Sequence, residues 1–133
     1  MTRAVLADVG PLYALADGGD EYHARALRES DRLRKQKRTV VVAYSTLAEG
    51  HSLILRRLGA DYAQRWLAEA LSTAGMINPT DRDYREAAQR VAYYTDQAVS
   101  LADAVVAILS ERLSIPVWTY DHHFEVMHVK LWR

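Results

Sequence analysis

Residues 101–121 read LADAVVAILSERLSIPVWTYD, and how this stretch divides decides the fold. Leu101, Ala104, Val105, Ile108, Leu109 and Leu113 recur at three- and four-residue steps, which places them on one face of a helix. Pro116 ends that pattern, because proline has no amide hydrogen for a helix and disfavours helical geometry in the residue before it. Val117, Trp118, Thr119 and Tyr120 then supply a run of strand-forming types. The strand stops at Asp121, followed by His122 and His123, three groups that are costly to bury.

The same alternation extends upstream. Residues 3–8 read as a short, nearly all-apolar strand, the pattern of a strand covered on both faces, and it too ends in an acid, Asp8. Gly10 and Pro11 suit a helix entry before the apolar residues 12–16, and DGGD at 17–20 is a loop. Tyr22, Ala26 and Leu33 share a helical face, and the basic run at 32–38, RLRKQKR, reads as a solvated helix end. TVVVA at 39–43 is the most strand-like segment. Three further helical stripes follow, one with Leu47, Ile54 and Leu58, one with Tyr62, Trp66 and Leu71, and one with Tyr84, Ala87 and Val91. A last short strand is expected near 129–132. Strands alternating with helices predict one α/β domain spanning residues 1–133, a three-layer sandwich with a central, mostly parallel sheet of about five strands flanked by helices.

The chain is 133 residues long, enough for one ordinary core. Its 17 basic and 17 acidic side chains cancel, so no overall field advertises nucleic acid or membrane, and any such contact must come from local patches. Cysteine is absent, which excludes disulfides and thiolate metal sites. The amino terminus meets charge too early for a secretory signal and no apolar run would span a bilayer, so a cytoplasmic address is expected.

Parallel strands end at one edge of a sheet, where open α/β folds place their ligands. Asp8 and Asp121 follow strands directly. Glu49 lies in the helix that starts where residues 39–43 end, and Asp103 opens the helix that runs back to feed residues 117–120. Four acids therefore converge on that edge. Thr46 to Glu49, Thr80 to Asp83 and Ser100 to Asp103 all match the capping-box spacing, so Glu49 and Asp103 could equally be helix caps, and Asp83 is read as one. Crowded carboxylates repel one another unless a cation intervenes, and an all-oxygen set suits Mg²⁺ or Mn²⁺ rather than zinc. Such an ion activates water and neutralises charge on a phosphodiester. His122, His123 and His128 lack the i, i+4 spacing of a zinc helix, and His122 and His123 read as exposed loop residues.

Taken together, AVLADVGPLYAL, YSTLAEGHSLILRRLG, DQAVSLADAVVAILSERLSIP and VWTYDHHF resemble the PIN-domain ribonucleases, in particular the VapC-type toxins of toxin–antitoxin pairs. The likeness runs over nearly the full length. It implies an Mg²⁺- or Mn²⁺-dependent endoribonuclease in which Asp8, Glu49, Asp103 and Asp121 match the family's acids. By that likeness Asp8 and Asp103 would be the main metal ligands, Asp121 would hold the metal through water, and Glu49 would orient the attacking water. Thr119 and Ser100 would support these acids. The family implies an RNA substrate, a homodimer and an antitoxin that covers the groove. Where the family carries a hydroxyl residue after its first acid, this chain has Val9, then Gly10. That departure keeps open a PIN-like domain that binds RNA or protein and cleaves weakly. A haloacid dehalogenase-like phosphatase is disfavoured, because Gly10 stands where its second acid would be.

Overall fold

Ala4, Val5, Leu6 and Ala7 form β1 (Ala4–Ala7), and all four are buried, as expected of a strand covered on both sides. The computed structural model describes residues 3–133. β1 pairs in parallel with β2 (Thr39–Ala43), which pairs in parallel with β3 (Gly75–Ile77), and on its other side β1 pairs in parallel with β4 (Val117–Trp118). The strand order is β3-β2-β1-β4.

The expected sheet of about five strands is thus four strands and a vestige. Residues 129–132 contribute one isolated parallel bridge, Leu131 to Val117. β4 is only two residues long, and Val117 spends both backbone groups on Lys130 and Trp132, so the pairing has nowhere to extend. β3 is absent from the sequence reading because three half-buried residues carry no alternation to read.

The helices are α1 (Val9–Ala16), α2 (His23–Lys35), α3 (Tyr44–Leu58), α4 (Ala60–Thr73), α5 (Asp81–Tyr93), α6 (Leu101–Leu113) and the single turn α7 (His123–Val126). Alternate residues of the strands sort these into layers. Val5, Ala7 and Val42 face Leu33 of α2, Leu47 of α3 and, at the margin, Leu12, Leu15 and Leu67. Leu6, Val41 and Ala43 face Ala87 of α5, Phe124 of α7 and the buried run of α6. Leu6 is fully buried, and its truncation to Ala would cost about 3 kcal/mol.

Two glycines shape the packing of α3 on α4. Gly59 joins the two helices at φ 95°, a conformation that side chains resist. Gly50 lets them close up, since a Cβ there would lie 2.8 Å from Cη2 of Trp66. Among the described residues no helix is long and apolar enough to cross a membrane.

Candidate active site

The chain steps outward from β1 to β2 to β3 and then returns to place β4 on the opposite side of β1. Such a reversal of strand order opens a crevice at the strands' carboxyl ends. Asp8 leaves β1 there as the residue that starts α1, extended at φ −80° and ψ 171°. Its backbone amide donates to the Trp118 carbonyl at 2.9 Å, locking the ends of β1 and β4 together.

Asp8 is only 5% exposed, and the hydroxyl of Thr119 donates to its Oδ2 at 2.8 Å. The same Thr119 oxygen accepts the backbone amide of Asp121 at 3.0 Å. Asp121 in turn accepts the His123 amide on Oδ1 at 2.9 Å, and His123 Nδ1 lies 2.7 Å from that oxygen at an angle that makes no hydrogen bond. His123 therefore corrects the sequence expectation: it begins α7 with its side chain mostly covered, whereas His122 is exposed as expected. A helical turn directly after Asp121 folds His123 back against the acid.

The capping alternatives separate clearly. Asp103 does close a capping box, donating its amide to Ser100 Oγ at 3.0 Å and accepting the Ser100 amide at 3.4 Å on Oδ2. Asp83 closes one too, and in addition accepts both Nε and Nη2 of Arg112, at 2.9 and 2.8 Å. Glu49 does not. α3 starts at Tyr44, straight out of β2, so Thr46 is already buried inside the helix and no side chain caps it. Among the described residues no hydrogen bond or ion pair holds the Glu49 side chain, and the charge of Asp103 acts on it.

Electrostatics tie the four acids together. Burial pushes the Asp8 carboxyl up to about 7, against the pull of Thr119 and the Val9 amide and with help from Asp103 and Glu49. Partial loss of water and then Asp103 raise Glu49. Asp103 is raised by burial and then by Asp121, and lowered by Ser100 and His123. Among the described residues no Lys or Arg pairs with any of the four, and the histidines beside Asp121 are the only basic neighbours. Uncompensated, oxygen-only and negative, this set fits a hard divalent cation. Its oxygens stand wider apart than a tight cage, because the one set of three ligand atoms within 4.8 Å among the described residues is Asp121, His122 and His123. Mg²⁺ tolerates such spacing, since it keeps several of its waters.

Asp8 is held from two sides. Thr119 brings a hydroxyl to Asp8 from the far end of the chain, and the Val9 amide adds a second favourable dipole.

No protein-family model matches the chain, and no curated protein matches it. Solved structures do. VapC20 of Mycobacterium tuberculosis, described as a sarcin–ricin loop cleaving toxin, superposes with a TM-score of 0.84 over 97% of this chain and 98% of its own, at 22% identity. The fold is PIN-like. VapBC2 from Rickettsia felis, solved on a DNA fragment from its promoter, matches at TM-score 0.72 and 14% identity, covering 97% of each chain. VapBC-1 from nontypeable Haemophilus influenzae matches at TM-score 0.68 and 10% identity, over 97% of this chain and 96% of its own. At such low identity the likeness is one of fold.

Proposed function

We propose that this chain is an Mg²⁺- or Mn²⁺-dependent endoribonuclease that hydrolyses RNA phosphodiester bonds, and that it acts as the cytoplasmic toxin of a toxin–antitoxin pair. The observation that carries this is that Asp8, Glu49, Asp103 and Asp121 act on one another's charge, with no Lys or Arg among the described residues paired to them, at the edge where the strand order reverses. The toxin description of VapC20, and the VapBC structures among the neighbours, support the biological half of the proposal.

Asp8 and Asp103 would hold the metal, with Asp121 contributing through water. When bound, the metal supplies charge neutralisation at the phosphate and lowers the pKa of water toward neutrality. Asp8, buried, keeps its proton up to about pH 7, and a bound cation would offset the cost of ionising it there. Thr119 holds the Asp8 carboxylate in one orientation and ties the Asp121 backbone to it, while at Asp103 the Ser100 backbone amide donates to the carboxylate and the Ser100 hydroxyl accepts the Asp103 amide. Glu49 is open to solvent and raised in pKa, which suits a group that accepts a proton from, or orients, the attacking water. An antitoxin segment over the crevice and a second copy of the chain are the expected protein partners.

The test is cleavage of single-stranded and stem-loop RNA by the purified chain, with Mg²⁺ or Mn²⁺ and with chelator. Wild type should cut only with metal, and Asp103→Asn, which keeps the helix cap, should lose at least about a hundredfold in rate. Metal-dependent RNA binding without cleavage would instead favour a PIN-like binding domain.

A further inference from the structure

Glu29 on α2 lies outside the four acids, yet it is tied to the same strand end. Trp118 Nε1 and Tyr120 OH both donate to its Oε1, at 2.9 and 2.6 Å, and Arg25 Nε reaches Oε2 at 3.2 Å. The Arg25 guanidinium also sits 4.5 Å from the centre of the Tyr120 ring, which the Tyr22 ring flanks at 4.9 Å. Burial works against the Glu29 charge, but the donors from Tyr120, Trp118 and Arg25 outweigh it and hold the carboxyl below its ordinary range.

Trp118 and Tyr120 are the two neighbours of Thr119. Successive side chains of an extended segment point to opposite sides, so gripping the outer two on the α2 side leaves Thr119 aimed at Asp8. Trp118 is buried beside Val5, Ala7 and Leu33, and a cavity of about 150 Å³ opens beside the segment, lined by Glu29, Thr119, Tyr120 and Asp121 among others. The Glu29 hydrogen bonds fix the polar ends of Trp118 and Tyr120, which packing alone leaves free to turn.

We infer that Glu29 is a positioning residue: it clamps Trp118 and Tyr120 so that one Thr119 hydroxyl reaches Asp8 and the Asp121 amide together. Its catalytic consequence rests on the nuclease proposal, whereas the clamp itself does not.

The experiment compares Glu29→Ala with Glu29→Gln. Glutamine keeps the Oε1 acceptor for both donors and gives up the charge and the second acceptor facing Arg25. By amide hydrogen exchange, Glu29→Ala should speed the Asp121 amide about tenfold or more while Ala107 and Leu109 in α6 keep their rates, and Glu29→Gln should stay near wild type. In RNA cleavage Glu29→Ala should lower kcat about tenfold with KM little changed, and Glu29→Gln should restore most of it. Should Glu29→Ala fail to fold, Tyr120→Phe removes a single donor and should give a smaller rise in Asp121 exchange. An unchanged Asp121 rate, or a rise shared equally by the α6 amides, overturns the clamp. If wild type cuts no RNA, the nuclease proposal falls and the exchange comparison still decides the role of Glu29.

Discussion

Thr119 Oγ1 and Asp8 Oδ2 meet at 2.8 Å across 111 residues of sequence, and the same hydroxyl accepts the Asp121 amide. One small side chain therefore joins the first acid of the chain to the last of the four. Thr119→Val preserves shape and β-branching but removes both bonds. It should weaken Mn²⁺ binding and slow cleavage by about 10–100-fold, whereas Thr119→Ser should remain close to wild type. Mn²⁺ titration and single-turnover cleavage on the two variants check this.

The pKa of Asp8 sets a pH dependence of stability with a definite sign. Folding raises it from the ordinary 3.8 to about 7. Below 3.8 the folded and unfolded chains both carry the proton and nothing is lost. Between 3.8 and about 7 the unfolded chain ionises first, so stability falls as pH rises, by a total on the order of a few kcal/mol. Above about 7 both forms are ionised and the loss is complete. Glu49 and Asp103, raised as well, act in the same direction. Asp8→Asn should accordingly raise Tm in chelator at about pH 8 and change it little near about pH 4. Mg²⁺ at the higher pH should recover much of that stability in wild type and less in the variant.

Asp83 gives the contrasting case of a buried acid with a purely structural post. Its side chain accepts the Thr80 amide at 2.9 Å and both Arg112 donors, and it is 1% exposed. Asp83→Ala should cost about 1–2 kcal/mol for the cap alone, with the broken ion pair adding to it. Cleavage per folded molecule should not change. Urea unfolding and active-site-normalised rates separate the two effects.

How much of the fold is legible in the sequence depends on how local each signal is. β2 coincides with residues 39–43 because three adjacent valines leave no competing conformation. The edge shared by Asp8, Glu49, Asp103 and Asp121 follows from the alternation of strands and helices, which is also a local pattern. The start of α3 is harder to read. Thr46 and Glu49 have capping-box spacing, but the helix begins at Tyr44 with Ala43 as its unassisted start, because the chain passes from β2 into α3 with no loop to carry a polar cap. The structural alternative for Glu49 thereby disappears, while for Asp103 the cap and the proposed metal role coexist. Glu29 leaves no trace in the sequence: among the charges of α2 it looks like any solvated acid, and its partners Trp118 and Tyr120 lie 89 and 91 residues away. β3 and α7, of three and four residues, are too short for periodicity to register.

The most direct measurement is the anomalous signal of Mn²⁺ in crystals of the protein grown with that ion. The account predicts a peak in the crevice beyond β1 and β4, within ligand reach of Asp8 and Asp103. It predicts that Asp103→Asn weakens or abolishes that peak. A crevice without manganese at millimolar concentration, or an ion held by Asp121, His122 and His123 alone, would contradict it.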